Sequence, residues 1–255
     1  MQRSVSVSVN KLSEEPYASI VCYPQATPGE MLTRMEELRV LGVETVEFSG
    51  KIPASAYYVL GKGHVGVVAA VRAQGRQLAL KMQRADSGRE SLEHEAELLA
   101  KANEVGVGPH LVAATKHFLL MQLIDGGTLE EWLAAHRDKD AARAVLAEIL
   151  EQCWRLDGIG LDHGGLVRAP RHILVDTADT PFIVDFETAS VLRNASNVTS
   201  VCNFLFLGNG EVRKAVADMI GERERGELMG GLKNYRMNRN RQSFEELLEL
   251  CLTIR

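Results

Sequence analysis

The stretch Val59–Lys81, VLGKGHVGVVAAVRAQGRQLALK, constrains this chain more than any other part of it. It sets Gly61, Gly63 and Gly66 in a G-x-G-x-x-G frame closed by Val68, and it ends on a lysine in the run LALK. Two unrelated nucleotide-binding loops share that glycine spacing, and the residues after the glycines separate them. A dinucleotide loop opens into a helix. Here the stretch reads as a strand, the glycine loop, a second strand at VVAAV, a turn at Gly75 and a third strand at LALK. It therefore predicts three antiparallel strands, with the glycine loop joining the first two. No G-K-[ST] follows the glycines, which excludes a Walker-type P-loop. Backbone N–H groups approach an anion closely only where no Cβ intervenes, so the loop is a candidate cover for phosphates.

Residues 1–52 precede this stretch and read as a β-α-β-like extension. VSVSV alternates like a strand, SIVCY is a second apolar run and VETVEF is a further strand. Thr27-Pro28-Gly29-Glu30 supplies an N-cap, a proline at the first helical position and a capping-box glutamate. The helix it opens carries Met31, Met35, Leu38 and Leu41 on one face and stops at Gly42. This extension is either an appended module or a layer packed on the strands beyond it. Residues 53–124 form a lobe of strands with one helix, in which Leu92, Ala96, Leu99 and Ala102 recur at helical spacing before Gly106. Glu95 directly precedes the apolar AELL register, so it is expected to turn inward and meet Lys81, ahead of Glu90, Glu93 and Glu97. LVAAT and HFLLMQLI add two strands.

Residues 125–255 change character. Asp125-Gly126-Gly127 breaks the chain, and Thr128-x-x-Glu131 caps the helix EEWLAAHR. A strand ending in a glycine-rich connection into a helix suits a hinge, with backbone groups near Met121–Leu123 available to an adenine edge. Residues 140–157 are strongly periodic and read as a core helix without chemistry. GLDHGGLVRAPRHILVD and TPFIVDFE then have the form of loops feeding short strands. Asp185 follows the apolar Phe182-Ile183-Val184, where a carboxylate is poised to hold Mg²⁺ against nucleotide phosphates. In the tail, Lys233, Arg236, Arg239 and Arg241 make a basic stripe, either a solvated helix face or a contact for RNA, ribonucleoprotein or an acidic partner. Ser243-x-x-Glu246 opens the closing helix and presents Phe244, Leu247, Leu248 and Cys251.

Composition narrows the classes. A net charge of −5 argues against a chain devoted to nucleic acid or anionic membrane. No apolar run approaches a membrane span, and MQRSVSVSVN has no signal-peptide core. Four cysteines, Cys22, Cys153, Cys202 and Cys251, are scattered without a CxxC pair, as expected of buried thiols in a reducing compartment. The expectation is a cytoplasmic protein without a membrane partner.

Taken in order, GKGHVGVV, LALK, the Glu95 helix, LIDGGTL, DHGGL…RHILV and IVDFE resemble the protein-kinase superfamily. The spacing is most similar to its small atypical branch: RIO kinases, the kinase subunit of the tRNA-threonylcarbamoyl complex and the archaeal predicted Ser/Thr protein kinases. The resemblance covers about residues 56–210. It implies an α+β fold with two lobes, an antiparallel-sheet N-lobe of five strands with one helix and a reduced, mainly helical C-lobe, here with the N-terminal extension. It also implies ATP and Mg²⁺ as cofactors and a Ser/Thr hydroxyl of a protein as acceptor, the chain's own hydroxyls included. On this resemblance Gly61, Lys62, Gly63, Gly66, Val68, Ala79, Met121 and Leu123 surround the nucleotide. Lys81 holds its phosphates and is itself held by Glu95, while Asp185 binds the metal.

The departures from the family lie in the second half. Family members carry H-G-D-L or H-R-D, whose aspartate takes the acceptor's proton; here the frame reads His163-Gly164-Gly165-Leu166. Asp162 and His163 are the two candidates to replace that aspartate. His172 stands for the family's metal-binding asparagine, and an imidazole suits Mn²⁺ or Zn²⁺ better than Mg²⁺. Glu187 stands where D-F-G has glycine, and no A-P-E follows. The resemblance therefore implies a Ser/Thr kinase; Gly165 leaves open the alternative of a pseudokinase that binds nucleotide as a switch or scaffold.

Overall fold

A computed structural model describes residues 4–168 and 170–253. Contacts divide the chain into two compact units. One runs up to Ala100 and adds Pro109–Leu123; the other joins Lys101–Gly108 to the residues from Ile124 onward. The first is built on an antiparallel sheet and the second is mainly helical.

The first unit contains, in chain order, β1 (Val5–Ser8), α1 (Ala18–Val21), α2 (Pro28–Val40), β2 (Val43–Phe48), β3 (Ile52–Ala54), β4 (Tyr57–Val59), β5 (Gly61–Lys62), β6 (Gly66–Ala73), β7 (Arg76–Gln83), α3 (Glu93–Glu104) as far as Ala100, β8 (Leu111–Ala114) and β9 (Phe118–Gln122). Its main sheet runs β1-β2-β6-β7-β9-β8, and β5 adds a seventh strand against β6. Every pairing in it is antiparallel. Gln74 and Gly75, both at positive φ, close the β6–β7 hairpin as a two-residue loop whose twist matches the strands. The run SIVCY, apolar as expected, forms a single helical turn rather than a strand.

The sheet has seven strands where five were expected, because β1 and β2 come from residues 1–52. Those residues share one hydrophobic core with the strands beyond them. Ile20, Met35, Leu38, Val46 and Phe48 pack in the same cluster as Val67, Val71, Leu78, Leu80, Phe118 and Leu120. The two-residue period of β6 and β7 makes this possible, since alternate side chains turn to the α2 side and the rest to the opposite face. The capping box expected at Thr27 does not form. Thr27 stands at the N-cap, but its hydroxyl meets Glu30 Oε2 at 3.3 Å and caps no backbone N–H, while Glu30 Oε1 pairs with Arg34.

Helix α2 is also fastened by charge. Glu37 accepts from the His117 N–H at 2.9 Å and pairs with the His117 imidazole. Burial pushes the Glu37 carboxyl up, but the neighbouring Thr115 hydroxyl and the two His117 groups outweigh it and hold it below its ordinary value. A depressed folded pKa gives stability that is fully present above the unfolded value, about 4.3, and lost as pH falls through the lower folded value. Glu37→Gln should therefore lower the urea midpoint at neutral pH, and the gap to the parent should narrow as acid protonates Glu37. A gap that stays constant with pH would remove Glu37 from the acid response.

The second unit contains β10 (Gly126–Thr128), α4 (Leu129–Ala135), α5 (Lys139–Gly158), β11 (Ile173–Asp176), β12 (Pro181–Ile183), α6 (Asn197–Cys202), α7 (Glu211–Ile220), α8 (Arg225–Asn238) and α9 (Arg241–Leu252). Strands β10, β11 and β12 form a small antiparallel sheet. The capping box expected at Thr128 and Glu131 forms. The one expected at Ser243 is displaced by a turn: Asn240 is the N-cap of α9, and Ser243 is its third helical residue, reaching back to it. Asn240 wins because its short amide accepts from the Ser243 N–H at 2.9 Å. All four cysteines are free and buried. Among the described residues no helix is long and apolar enough to cross a membrane.

Candidate functional site

In the first unit, register brings four of the nucleotide candidates onto one face of the sheet. Val68 pairs with Lys81, which pairs with Leu119; Ala70 pairs with Ala79, which pairs with Met121. Val68, Ala79, Lys81 and Met121 therefore lie side by side, on the face opposite the α2 core. Leu123 lies one residue beyond β9. Lys81 Nζ donates to Glu95 Oε1 at 2.8 Å and Oε2 at 2.9 Å, and both residues are only 5% exposed. Glu93 is exposed, as are Glu90 and Glu97, so the helical register selects Glu95 alone. Burying the two charges costs desolvation of both, which their mutual attraction and the two hydrogen bonds offset.

The glycines differ in their reasons. A Cβ on Gly66 would come within 3.0 Å of Lys81 Cγ and Cε and 3.1 Å of the Met82 carbonyl, so the backbone here lies against the lysine stem. Gly61 and Gly63 have room for a methyl group; what glycine provides there is an uncovered backbone. The Gly63 N–H is used inside the loop, donating to the Gly66 carbonyl at 2.9 Å. Lys62, a nucleotide candidate by sequence, directs its ammonium elsewhere: Nζ donates to the Pro53 carbonyl at 2.6 Å.

In the second unit, Asp162, His163, Gly165, His172 and Asp185 form one cluster. Asp185 follows β12 in the left-handed region at φ 70°. A non-glycine residue held there by its surroundings often marks a functional position. Three bonds fix the strand end that carries it. Gln152 of α5 donates to the Pro181 carbonyl at 2.7 Å and accepts from the Ile183 N–H, while the Val184 N–H donates to the His172 carbonyl at 2.9 Å. His172 Nε2 lies 3.7 Å from Asp185 Oδ2. Glu187 sits in the single 3-10 turn that comes next.

Asp162 and His163, the two candidates for a proton acceptor, are both engaged by neighbouring residues. His163 is fully buried; its Nδ1 accepts from the Gly165 N–H, which leaves Nε2 protonated to donate to the Val184 carbonyl at 3.0 Å. Burial, reinforced by the His172 imidazole, pushes its pKa down to about 4, so it is neutral and structural. Asp162 is bound through its backbone to Ser190 in both directions and through its carboxylate to Arg193 Nε at 2.8 Å. Gly165 itself has no room for a side chain. A Cβ there would stand 2.5 Å from His172 Nδ1 and 2.6 Å from Cε1, so the His172 ring fills the space that a side chain at this position would need.

Several residues that hold this cluster are not evident from the sequence. Asp157, on the helix expected to be pure core, accepts from the Asn197 N–H and Nδ2 and from the Tyr235 hydroxyl, and burial raises its pKa. Asn197 in turn accepts from the His163 N–H at 2.9 Å and donates to the Leu161 carbonyl at 2.7 Å. Polar residues inside an apolar period, Gln152 and Asp157, are the signal that could have found them. In the basic tail, Arg239 donates to the Ala195 carbonyl, and Arg241 pairs with Glu151 and Glu245 and lies over the Trp154 ring. Two of the four stripe cations are thus engaged within the chain.

For a metal, the chemistry of the donors is the test. Among the described residues no group of three or more His, Cys, Asp or Glu side chains could hold an ion. One carboxylate with an adjacent imidazole fits only an ion whose other ligands are phosphate oxygens and water, the usual situation of nucleotide-bound Mg²⁺. No protein-family model matches this chain, and no curated protein matches it at a significant level.

Proposed function

We propose that this chain is a nucleotide-binding protein of the atypical protein-kinase type, with a two-lobe kinase-like fold, that transfers the γ-phosphoryl group of ATP to a protein Ser/Thr hydroxyl. The observation that carries the reading is the buried Lys81–Glu95 pair behind a glycine loop, with Gly66 packed on the lysine stem. A lysine held this way presents a fixed positive charge to phosphates and loses little freedom on binding. Asp185, with water and phosphate oxygens, would hold Mg²⁺ or Mn²⁺, which supplies neutralisation of charge on the phosphates. Val68, Ala79 and Met121 offer an apolar strip for a base.

A second reading rests on a specific observation of its own. Gly165 is closed to a side chain by His172, His163 is buried and neutral, and Asp162 is paired to Arg193. These favour a pseudokinase, in which nucleotide acts as a switch or scaffold element. Phosphoryl transfer depends mainly on positioning and electrostatics, so a missing base lowers the rate without forbidding it.

Incubation with γ-labelled ATP and Mg²⁺, then Mn²⁺, separates the readings. Labelling of the chain or of an added protein, abolished by Lys81→Ala and by Asp185→Asn, is the result expected of the kinase. Nucleotide binding that Lys81→Ala abolishes, without labelling, assigns the second reading. No nucleotide binding at all removes both.

A further inference from the structure

The glycine loop is not held by its own strands alone. Arg84, one residue past β7, donates from Nη1 to the Gly63 carbonyl at 3.1 Å, and its backbone N–H donates to the Val65 carbonyl at 2.7 Å. The guanidinium is kept in place on two further sides. Asp86 binds it through Nε and Nη2 at 2.8 Å each, and its carbon lies 5.1 Å from the centroid of the Tyr23 ring. Tyr23 belongs to residues 1–52, and its carbonyl accepts from the Ala85 N–H at 2.7 Å, which fixes the ring beside Arg84. Lys62, inside the loop, comes to the same ring, its Nζ 5.4 Å from the centroid, while donating to the Pro53 carbonyl at 2.6 Å. Val65, at the loop's tip, is 5% exposed.

We infer that residues 1–52 are a built-in brace for the glycine loop, with Tyr23 and Arg84 as positioning residues that set its affinity for phosphates. This rests on the nucleotide reading for its effect on affinity, but not for the brace itself. A glycine-rich loop joined only by short strands samples many conformations, and ordering it over an anion costs entropy. Two cations against one aromatic ring, one of them also bound to a loop carbonyl, meet part of that cost before any ligand arrives. The brace also explains where Lys62 points: its charge anchors the loop and leaves phosphate contact to the backbone and to Lys81. The geometry makes Tyr23 act through its ring face, since the contacts are to its centroid, so phenylalanine should serve as well.

The test uses the whole chain as parent, Tyr23→Ala, Tyr23→Phe and Arg84→Ala, with two readouts. The first is amide hydrogen exchange at residues 61–66 without nucleotide. Tyr23→Ala and Arg84→Ala should speed it by about tenfold or more, Tyr23→Phe should match the parent, and exchange in α5 should not change. The second is calorimetric titration with ATP and Mg²⁺ against titration with adenosine. The two alanine variants should bind ATP about five- to tenfold more weakly and adenosine as the parent does. Unchanged loop exchange in both alanine variants overturns the brace, and so does tighter ATP binding, which would make the contact inhibitory. An equal loss for ATP and adenosine also overturns it, because the effect would not be on phosphates. If the parent binds no nucleotide, loop exchange still decides the brace, and only the nucleotide reading fails.

Discussion

Glu95→Ala should cost the fold about 3–5 kcal/mol, the usual penalty for breaking a buried ion pair by removing one partner. The Lys81 ammonium donates to both Glu95 oxygens, and each residue is 5% exposed, so water cannot replace the lost carboxylate without opening the unit. The same reasoning predicts an opposite result for a joint replacement. Lys81→Met with Glu95→Leu removes both charges and fills the volume with apolar atoms, so its stability should return to the parent's level or exceed it by about 1–4 kcal/mol. On the nucleotide reading, ATP affinity should be lost in both proteins. Urea unfolding and calorimetric titration with ATP check the two halves separately. A Glu95→Ala protein as stable as the parent would mean that the pair is open to solvent. An apolar double variant that keeps its ATP affinity would remove Lys81 from the phosphate site.

On the kinase reading, Gly165→Asp should not by itself supply a working proton acceptor. The new Cβ would collide with the His172 ring at 2.5 Å, and the His163 ring lies 3.2 Å away, so His172 must swing out and give up its contact with the Gly165 carbonyl. Overpacking of this order costs about 1–3 kcal/mol. Gly165→Ala introduces the same Cβ and should cost a similar amount, although φ at this position suits any residue. With His172→Asn in the same chain the clash is relieved, and the pair should be coupled by about 0.5–3 kcal/mol relative to the sum of the single changes. On the kinase reading, labelling from γ-labelled ATP should rise only in the double variant. Additive stabilities, measured by urea unfolding, would show that His172 does not occupy the space beside Gly165.

Much of the fold was legible because the signals were local. The QG turn with its flanking alternation specified the β6–β7 hairpin, and the Thr128 box and the period of residues 140–157 specified α4 and α5. Errors came where two local devices competed. Thr27 and Ser243 each begin a plausible capping box, and the choice between a backbone N–H and a nearby side chain depends on geometry that spacing does not carry.

Glu95 was legible for the same reason as the hairpin: helical period places one carboxylate of four on the buried face. What the tertiary structure decided was everything that depends on contacts between distant segments. Residues 1–52 carry an ordinary strand pattern, and nothing in it says that β2 pairs with β6 or that Tyr23 comes to the glycine loop. Gly165 reads in sequence as a missing side chain; in the fold it is a place already filled by His172, a neighbour seven residues away. His163, an ordinary imidazole by residue type, is neutral because burial and the neighbouring His172 imidazole push its pKa down against the opposing effect of its bond to Val184. Residue order determines periodicity, caps and turns, whose interactions span a few bonds. Burial, charge state and the filling of space arise only when remote segments exclude water together, and those are what decide which groups in this protein can act.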